Sequence, residues 1–460
     1  MEVGVKFRAY PTQMQRKTLS EWMGCARFIY NAKCDEDRYH YGFSKQALSL
    51  VGQKPKIDQT YAQFKSQELS PWLYLVPSQI LRNASYRWYE SYQRTFKGLG
   101  GRPQKKSKEG RKTVWLTSEL FEFMEDKLYI GTKTRPLGIL NFKAHRSFKI
   151  PNSITVSTQA DFWYVSFCYD KPMDVVEPET LLDKLSTLDC EDLAPQVVGI
   201  DRGVVIPFAA STGEEYDFCP AQKKHMAEKE KRRKKYQRRL ARQQKGSQRR
   251  KKVKKLISRT YQKTANIRED FAHKTSHQLA NGAGKVFVFE ALKVTNMTRR
   301  PAKKWSEAEN RYLPNQAKAK AGLNRSILKS AWGKTVIYLT YKAKHLGKLV
   351  LEVASHYSSQ TCAECQHACS ENRQNQADFV CVACGHIDNA DHNASCVIAQ
   401  RGIRAIKEQR YECVVGGTPK TKNGRGARKQ SIGKNANGPN REKPDRKETS
   451  KKKNLAALAA

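Results

Sequence analysis

The stretch Val197-Val198-Gly199-Ile200-Asp201-Arg202-Gly203-Val204 decides the fold. A short apolar run bounded by polar residues reads as a strand buried on both faces, and here it ends on an acid. A second run of the same kind, Val286-Phe287-Val288-Phe289, closes on Glu290. A third acid, Asp391, opens Asp391-His392-Asn393-Ala394-Ser395, the expected start of a final helix. Carboxylates at two strand ends and one helix start can converge on one point and hold two divalent ions. Such ions clamp the attacking and leaving oxygens of a phosphodiester displacement. Taken singly, two of the acids have plainer explanations. Asp201 reads as a cap or turn residue after its strand, and Asp391 as an N-cap for the helix running through Cys396, Val397 and Ile398. Asp388, three residues earlier, competes with Asp391. Glu290 is harder to explain away, because an unpaired buried carboxylate is costly.

Seven residues before Asp391, a four-cysteine pattern ends. Cys362 and Cys365 form one C-x-x-C pair, and Cys381 and Cys384 the other, with fifteen residues between the pairs. This is the spacing of a tetrahedral zinc ribbon in which each pair makes a knuckle turn. Cys369, His367 and His386 lie nearby but fit the symmetric pattern less well. The ribbon's first role is to fold a segment too small for its own core, and its second is to hold substrate beside Asp391.

Composition narrows the partner. Lys and Arg number 85 against 44 acids, a formal charge of +41. A surplus of that size repels itself unless a polyanion neutralises part of it, and nucleic acid is the natural one. A membrane is the rival polyanion, but no basic amphipathic helix ends the chain and no run of 18 apolar residues occurs in it. The first residues, Met1 to Lys6, hold no apolar secretory core, and most of the twelve cysteines are scattered. Both points lead us to expect a reducing cytoplasm. The expected location is the cytoplasm of a bacterial or archaeal cell, in association with the nucleoid. Between Lys223 and Arg259 stand 19 Lys and Arg against two acids, Glu228 and Glu230. That stretch reads as long helices broken near Gly246-Ser247. Arg249, Arg250, Lys251 and Lys252 are its candidate phosphate contacts.

The segments Gly199-Ile200-Asp201-Arg202-Gly203-Val204, Phe289-Glu290, Ser358-Ser359-Gln360-Thr361-Cys362 and Asp391-His392-Asn393-Ala394-Ser395 together resemble the transposon-encoded TnpB (OrfB) family. That family is related to the type V CRISPR effectors. Tyr10-Pro11 and Ala26-Arg27-Phe28-Ile29-Tyr30-Asn31 match its N-terminal region, and Ala331-Trp332-Gly333 resembles a signature before the ribbon. Two positions depart from the family pattern: Asn389 stands where an acid is more frequent, and Ser395 where a second Ala is. The resemblance implies an α/β, RNase H-like (RuvC) nuclease core over residues 196–412, with the zinc ribbon, 360–386, inserted in it. It also implies a β-barrel-like wedge module from 1–12 and 108–175, a helical recognition lobe over 13–107 and a linker over 176–195. A disordered basic tail is expected from 413 to 460. The implied activity is RNA-guided, metal-dependent DNA cleavage beside a short flanking motif, with base pairing supplying specificity.

In that reading Asp201, Glu290 and Asp391 bind Mg²⁺, two ions in all, and the four cysteines bind one Zn²⁺. Helix 77–96 faces the duplex, with Arg82 and Asn83 reading bases. The partners are a guide RNA derived from the transposon end and a double-stranded DNA target, with no membrane. The protein acts as a monomer on RNA, with a dimer left open. Two other readings stand beside this one: a transposase or resolvase acting without RNA, and a guide-dependent repressor that binds without cutting. The first lacks a second catalytic module such as a His-hydrophobic-His motif with a Tyr nucleophile. The second is opposed by the three retained acids.

The cysteine spacing makes a direct prediction. Freshly purified protein should carry one zinc per chain by elemental analysis. Changing any one of Cys362, Cys365, Cys381 or Cys384 to Ser should lower that content to near zero.

Overall fold

The computed structural model describes residues 2–51, 58–170, 178–414 and 430–432. The chain opens with β1 (Glu2–Ala9), stopped by Pro11, which is followed by the long helix α1 (Gln13–Val51). Gln15 and Thr12 cap one another's backbone N–H groups at the start of α1. Leu19, Trp22, Met23 and Ile29 form its buried stripe, as the helical spacing predicts. The second helix, α2 (Ser78–Phe96), packs along α1 through Ile80, Leu81 and Ala84. Seven strands follow: β2 (Lys112–Thr117), β3 (Phe121–Met124), β4 (Lys127–Thr132), β5 (Arg135–Ile139), β6 (Phe142–Lys143), β7 (Ser153–Gln159) and β8 (Phe162–Asp170).

These strands make two antiparallel sheets, β2-β7-β8-β1-β6 and β3-β4-β5. Phe7, Phe123, Phe142, Phe148 and Phe167 interlock between them at centroid distances of 5.0–5.8 Å. No closed barrel forms among the described residues. β2 and β6 remain the outer strands of the larger sheet, and the β3–β4–β5 hairpins pack on it as a separate layer instead of sealing its edges.

The segment expected to be a linker is ordered from Pro178 onward. It forms α3 (Pro178–Ser186) and α4 (Cys190–Leu193), and its leucines Leu182, Leu185 and Leu193 are buried in the second half of the chain. Residues 176 and 177 lie outside the described residues. Apolar positions at helical spacing give the physical reason: Leu182 and Leu185 turn inward while Asp183, Asp189, Glu191 and Asp192 are exposed.

The second half is built on β9 (Val197–Asp201), β10 (Phe208–Ala210), β11 (Glu215–Tyr216), α5 (Pro220–Ala241), α6 (Gln248–Asn281), β12 (Val286–Glu290), α7 (Val294–Met297), β13 (Lys304–Ser306), β14 (Arg311–Leu313), α8 (Ala317–Lys329), α9 (Trp332–His345), β15 (Leu349–Val353), β16 (Asp378–Val380), β17 (Ile387–Asn389), α10 (Ala390–Lys407), β18 (Tyr411–Cys413) and β19 (Gln430–Ile432). The main sheet runs β11-β10-β9-β12-β15-β18-β19, with β9, β12 and β15 parallel. Of the expected tail, residues 413, 414 and 430–432 are described, and β19 pairs with β18. The remainder of the tail lies outside the described residues.

Each parallel strand is buried on both faces. Val198, Ile200, Phe287 and Phe289 face a core shared with α6 and α9, while Val197, Val286, Val288 and Leu351 face α10. The alternation places Gly199, Asp201 and Glu290 on the α10 side too. Gly199 has a steric reason. A Cβ there would lie 2.1 Å from the Ser395 carbonyl oxygen and 2.4 Å from the Ala399 nitrogen. Gly402 makes the reciprocal approach from α10: a Cβ there would lie 2.5 Å from Val288 Cγ2.

The α5–α6 hairpin carries the basic stretch, turning between Arg242 and Ser247. Arg259 and Lys255 of α6 reach Asp161, in the β7–β8 turn, at 3.1 and 4.0 Å, so this helix touches both halves of the chain. Among the described residues no helix is long and apolar enough to cross a membrane.

Gly199→Ala should therefore destabilise the second half by about 3 kcal/mol or more, as over-packing against fixed backbone does. Gly24→Ala, where nothing lies within 4 Å of the new atom, should be neutral or better. Denaturant unfolding of both variants checks the contrast.

Candidate catalytic and metal centres

The parallel register sets Phe289 against Ile200, so Asp201 and Glu290 follow as neighbours at the ends of adjacent strands. Strands in a sheet lie about 4.8 Å apart, and both residues stand one step past the Ile200↔Phe289 pair, so the two carboxylates share one face. The third acid arrives from above that face, on the first turn of α10. Asp391 reaches Gly203, whose added Cβ would lie 3.4 Å from Asp391 Oδ2.

Electrostatics records the convergence. The Asp201 carboxyl is pushed up to about 7, first by burial and then by the charges of Glu290 and Asp391. Burial also raises Asp391, against the pull of the Arg373 guanidinium 3.5 Å from its Oδ1.

The residues at the start of α10 have different hydrogen-bond partners. Asn389, not Asp391, caps α10: its side-chain oxygen accepts from the Asp391 and His392 N–H groups at 2.9 and 3.2 Å. That leaves the Asp391 carboxylate free of the capping role. Asp388 is held by His392 Nδ1 at 2.7 Å.

Neighbouring groups fix the acids. The Ser358 hydroxyl donates to Glu290 Oε1, and the buried Arg202 guanidinium donates to the Glu290 carbonyl. The Trp332 indole donates to the Gly203 carbonyl at 3.1 Å, steadying the loop that follows Asp201. Sequence reasoning missed Arg373, because an arginine between two cysteine pairs carries no local signal; only the ribbon's fold brings it to Asp391. Ser358 and Trp332 lay within quoted motifs, but their partners were not visible.

The second centre is the ribbon. Cys362 and Cys384 have their sulfurs 3.7 Å apart, Cys365 and Cys381 3.5 Å, and all four lie within 4.8 Å of one another. A tetrahedron with zinc–sulfur bonds of about 2.3 Å has edges of about 3.8 Å, close to the two shortest sulfur–sulfur distances here, so the cluster could hold zinc. Cys369, His367 and His386 are outside the set. Among the described residues this is the one group whose ligand atoms pack so closely. The three carboxylates do not form a group of that closeness. Their all-oxygen donors suit a hard divalent cation.

The ribbon is joined to α10 by Asn393, fully buried. Its amide donates to the Thr361 carbonyl at 2.8 Å and its oxygen accepts from the Ala363 N–H at 2.9 Å.

The residues expected to touch nucleic acid are placed unevenly. Asn83 is 4 % exposed and donates to the Trp115 carbonyl and Thr117 hydroxyl of β2, so its amide is committed to the fold and not to a base. Arg82 is exposed but lies 2.6 Å from Glu119. Arg249, Lys251 and Lys252 face solvent. Arg250 instead donates to the Leu240 and Gln243 carbonyls at the end of α5, capping that helix.

Three family models match the chain. Residues 189–300 match a family described as "Probable transposase", residues 332–398 the "Cas12f1-like, TNB domain", and residues 1–36 a "Helix-turn-helix domain". The last segment is here a strand followed by one continuous helix. A "Putative RNA-guided DNA endonuclease InsQ" of Escherichia coli K12 is 28% identical over 392 residues, covering 85% of this chain and 90% of the relative. A "Putative RNA-guided DNA endonuclease" of Streptomyces pristinaespiralis is 26% identical, covering 87% and 89%. A "Cas12f1-sgRNA-target DNA complex" structure covers 87% of this chain and 98% of its own, at 13% identity and a TM-score of 0.48.

The raised Asp201 carboxyl makes stability depend on pH. The folded state holds a proton that the unfolded chain releases near pH 4, so stability present at low pH is lost as pH rises toward about 7. In magnesium-free buffer the melting temperature should fall between pH 5.5 and 8, and Asp201→Asn should flatten that fall. Added Mg²⁺ should raise the melting temperature more at pH 8 than at pH 5.5.

Proposed function

Because the chain is related to the transposon-encoded TnpB (OrfB) family, we propose that it is an RNA-guided, metal-dependent DNA endonuclease. One observation carries this reading: Asp201 and Glu290 end adjacent parallel strands on the face where α10 delivers Asp391. The antiparallel β11-β10-β9 set followed by parallel β12 and β15 is the strand order of an RNase H-like (RuvC) core. Residues 196–412 form that core, with the ribbon 360–386 inserted. The helices within 13–107 form the recognition lobe, packed on the two-sheet module that replaces the expected barrel.

Asp201, Glu290 and Asp391 would hold two Mg²⁺, and the four cysteines one Zn²⁺. When bound, the magnesium ions supply Lewis-acid charge to the attacking and leaving oxygens of a phosphodiester. The chain's own residues supply the geometry. Ser358 and Arg202 fix Glu290, Asn389 frees Asp391 by taking over the cap, and Arg373 places a permanent positive charge beside Asp391. The surplus of cations, dense on α5 and α6, suits a guide RNA and a DNA target with phosphate contacts that position the strands while base pairing reads them.

Sequencing RNA that copurifies with the protein identifies the guide. With that guide, wild type should cut target DNA in Mg²⁺. Asp201→Ala, Glu290→Gln and Asp391→Ala should each reduce cutting by at least about a thousand-fold, since the ions act as a unit. Target binding should stay within about two-fold of wild type, because phosphate contacts dominate affinity. Cutting retained by Asp201→Ala, or undiminished in magnesium-free buffer, would sink the proposal.

A further inference from the structure

Beyond Glu290 the chain forms α7 and then projects a small hairpin of β13 and β14, paired Lys304↔Leu313, Trp305↔Tyr312 and Ser306↔Arg311. Trp305 and Tyr312 are 50% and 60% exposed, with ring centroids 4.9 Å apart at 71°. A two-stranded hairpin is marginal in water, and a cross-strand aromatic pair is one way to hold it. That role accounts for the pairing but not for two large rings left half in solvent.

The surroundings are charged. From Thr298 to Ser330 there are nine Lys and Arg and two acids, Glu307 and Glu309. Glu309 is already paired with Arg311 at 2.5 Å, and the Lys303 ammonium lies 5.2 Å from the Tyr312 ring. Lys329 is paired as well, with Glu230 at 2.6 Å, which leaves seven of the nine cations. Aromatic rings set among cations are how proteins hold single strands: bases stack on the rings while phosphates meet the charges.

The hairpin is also tied to the catalytic edge at both ends. It follows the strand ending in Glu290. Its feet are fixed by Asn315, which donates to the Ala302 carbonyl at 2.9 Å, and by Asn324 of α8, which donates to the Thr298 carbonyl at 2.8 Å. α8 leads into α9, whose Trp332 holds the Gly203 carbonyl two residues past Asp201.

We propose that Trp305 and Tyr312 are a stacking platform for an unpaired base of the DNA strand that approaches the three carboxylates. This rests on the nuclease reading above and adds positioning residues to it.

The test uses the full chain in magnesium-free buffer, with single-stranded DNA of about 12 nucleotides carrying a central 2-aminopurine. Wild type should bind it and quench the probe. Trp305→Ala should weaken binding about ten-fold and remove the quenching, and Trp305→Phe should restore most of both. Trp305→Ile keeps an apolar cross-strand partner but has no ring. Stacking predicts that it behaves like Trp305→Ala, whereas a purely structural role predicts that it behaves like wild type. A blunt duplex of the same length should bind all variants alike. Equal losses on duplex and single strand, or quenching retained by Trp305→Ile, would overturn the platform. An effect confined to single-stranded RNA of the same sequence would overturn the DNA assignment. Failure of the nuclease reading is separable: wild type would then not cut in magnesium, while the quenching experiment would be unaffected.

Discussion

The near-contact of α10 with the parallel sheet is the constraint on which the rest of the second half depends. Two glycines make it possible: Gly199 admits the backbone of Ser395 and Ala399, and Gly402 admits the side chain of Val288. Any larger residue at either place pushes helix and sheet apart, because packed interiors do not absorb an extra methyl group without movement. Asp391 rides on the first turn of that helix, and Asp201 lies two residues beyond Gly199. The spacing of the acids is thus set by core packing and not by any bond between them. A cluster of like charges could not hold itself together; here the apolar interface of Val288, Leu351, Ile398 and Ile406 does so.

Charge organises the molecule at a larger scale. The formal surplus of +41 is not spread evenly, since α5 and α6 alone carry a run of cations with few acids. Such helices would be poor ones without tertiary support, and the support differs along their length. The far end of α6 sinks into the core through Phe271 and Leu279, while its middle is held to the first half of the chain by Asp161. Arg250 shows that membership of a basic run does not make a residue a phosphate contact. It closes the end of α5, and its exposed neighbours Arg249, Lys251 and Lys252 are the ones left facing outward.

What could be read from the chain was what local patterning writes there. Apolar runs ending in Asp201 and Glu290 reveal strands, but the register that puts the two acids side by side came from the structure. The cysteine pairs reveal their cluster because each knuckle is a short-range turn. Which residue caps α10 was not legible. The sequence offered Asp391, with Asp388 as its competitor, and Asn389 takes the cap. Asn83 and Arg82 show the same limit. Helical spacing places both on α2 but does not say that one side of that helix leans on β2. Likewise, two antiparallel sheets and a closed barrel differ only in whether the outer strands meet, which is a non-local pairing that alternation does not encode.

Asn393 carries a consequence of its own. Both polar ends of its buried amide are satisfied only by backbone of the ribbon, at Thr361 and Ala363. Without an intact ribbon a buried amide one turn above the sheet would stand unpaired, at a cost of about 1–3 kcal/mol for each group. The ribbon and the helix that bears Asp391 are therefore coupled in stability through one side chain. Any change that unfolds the cysteine module leaves the Asn393 amide without its two partners.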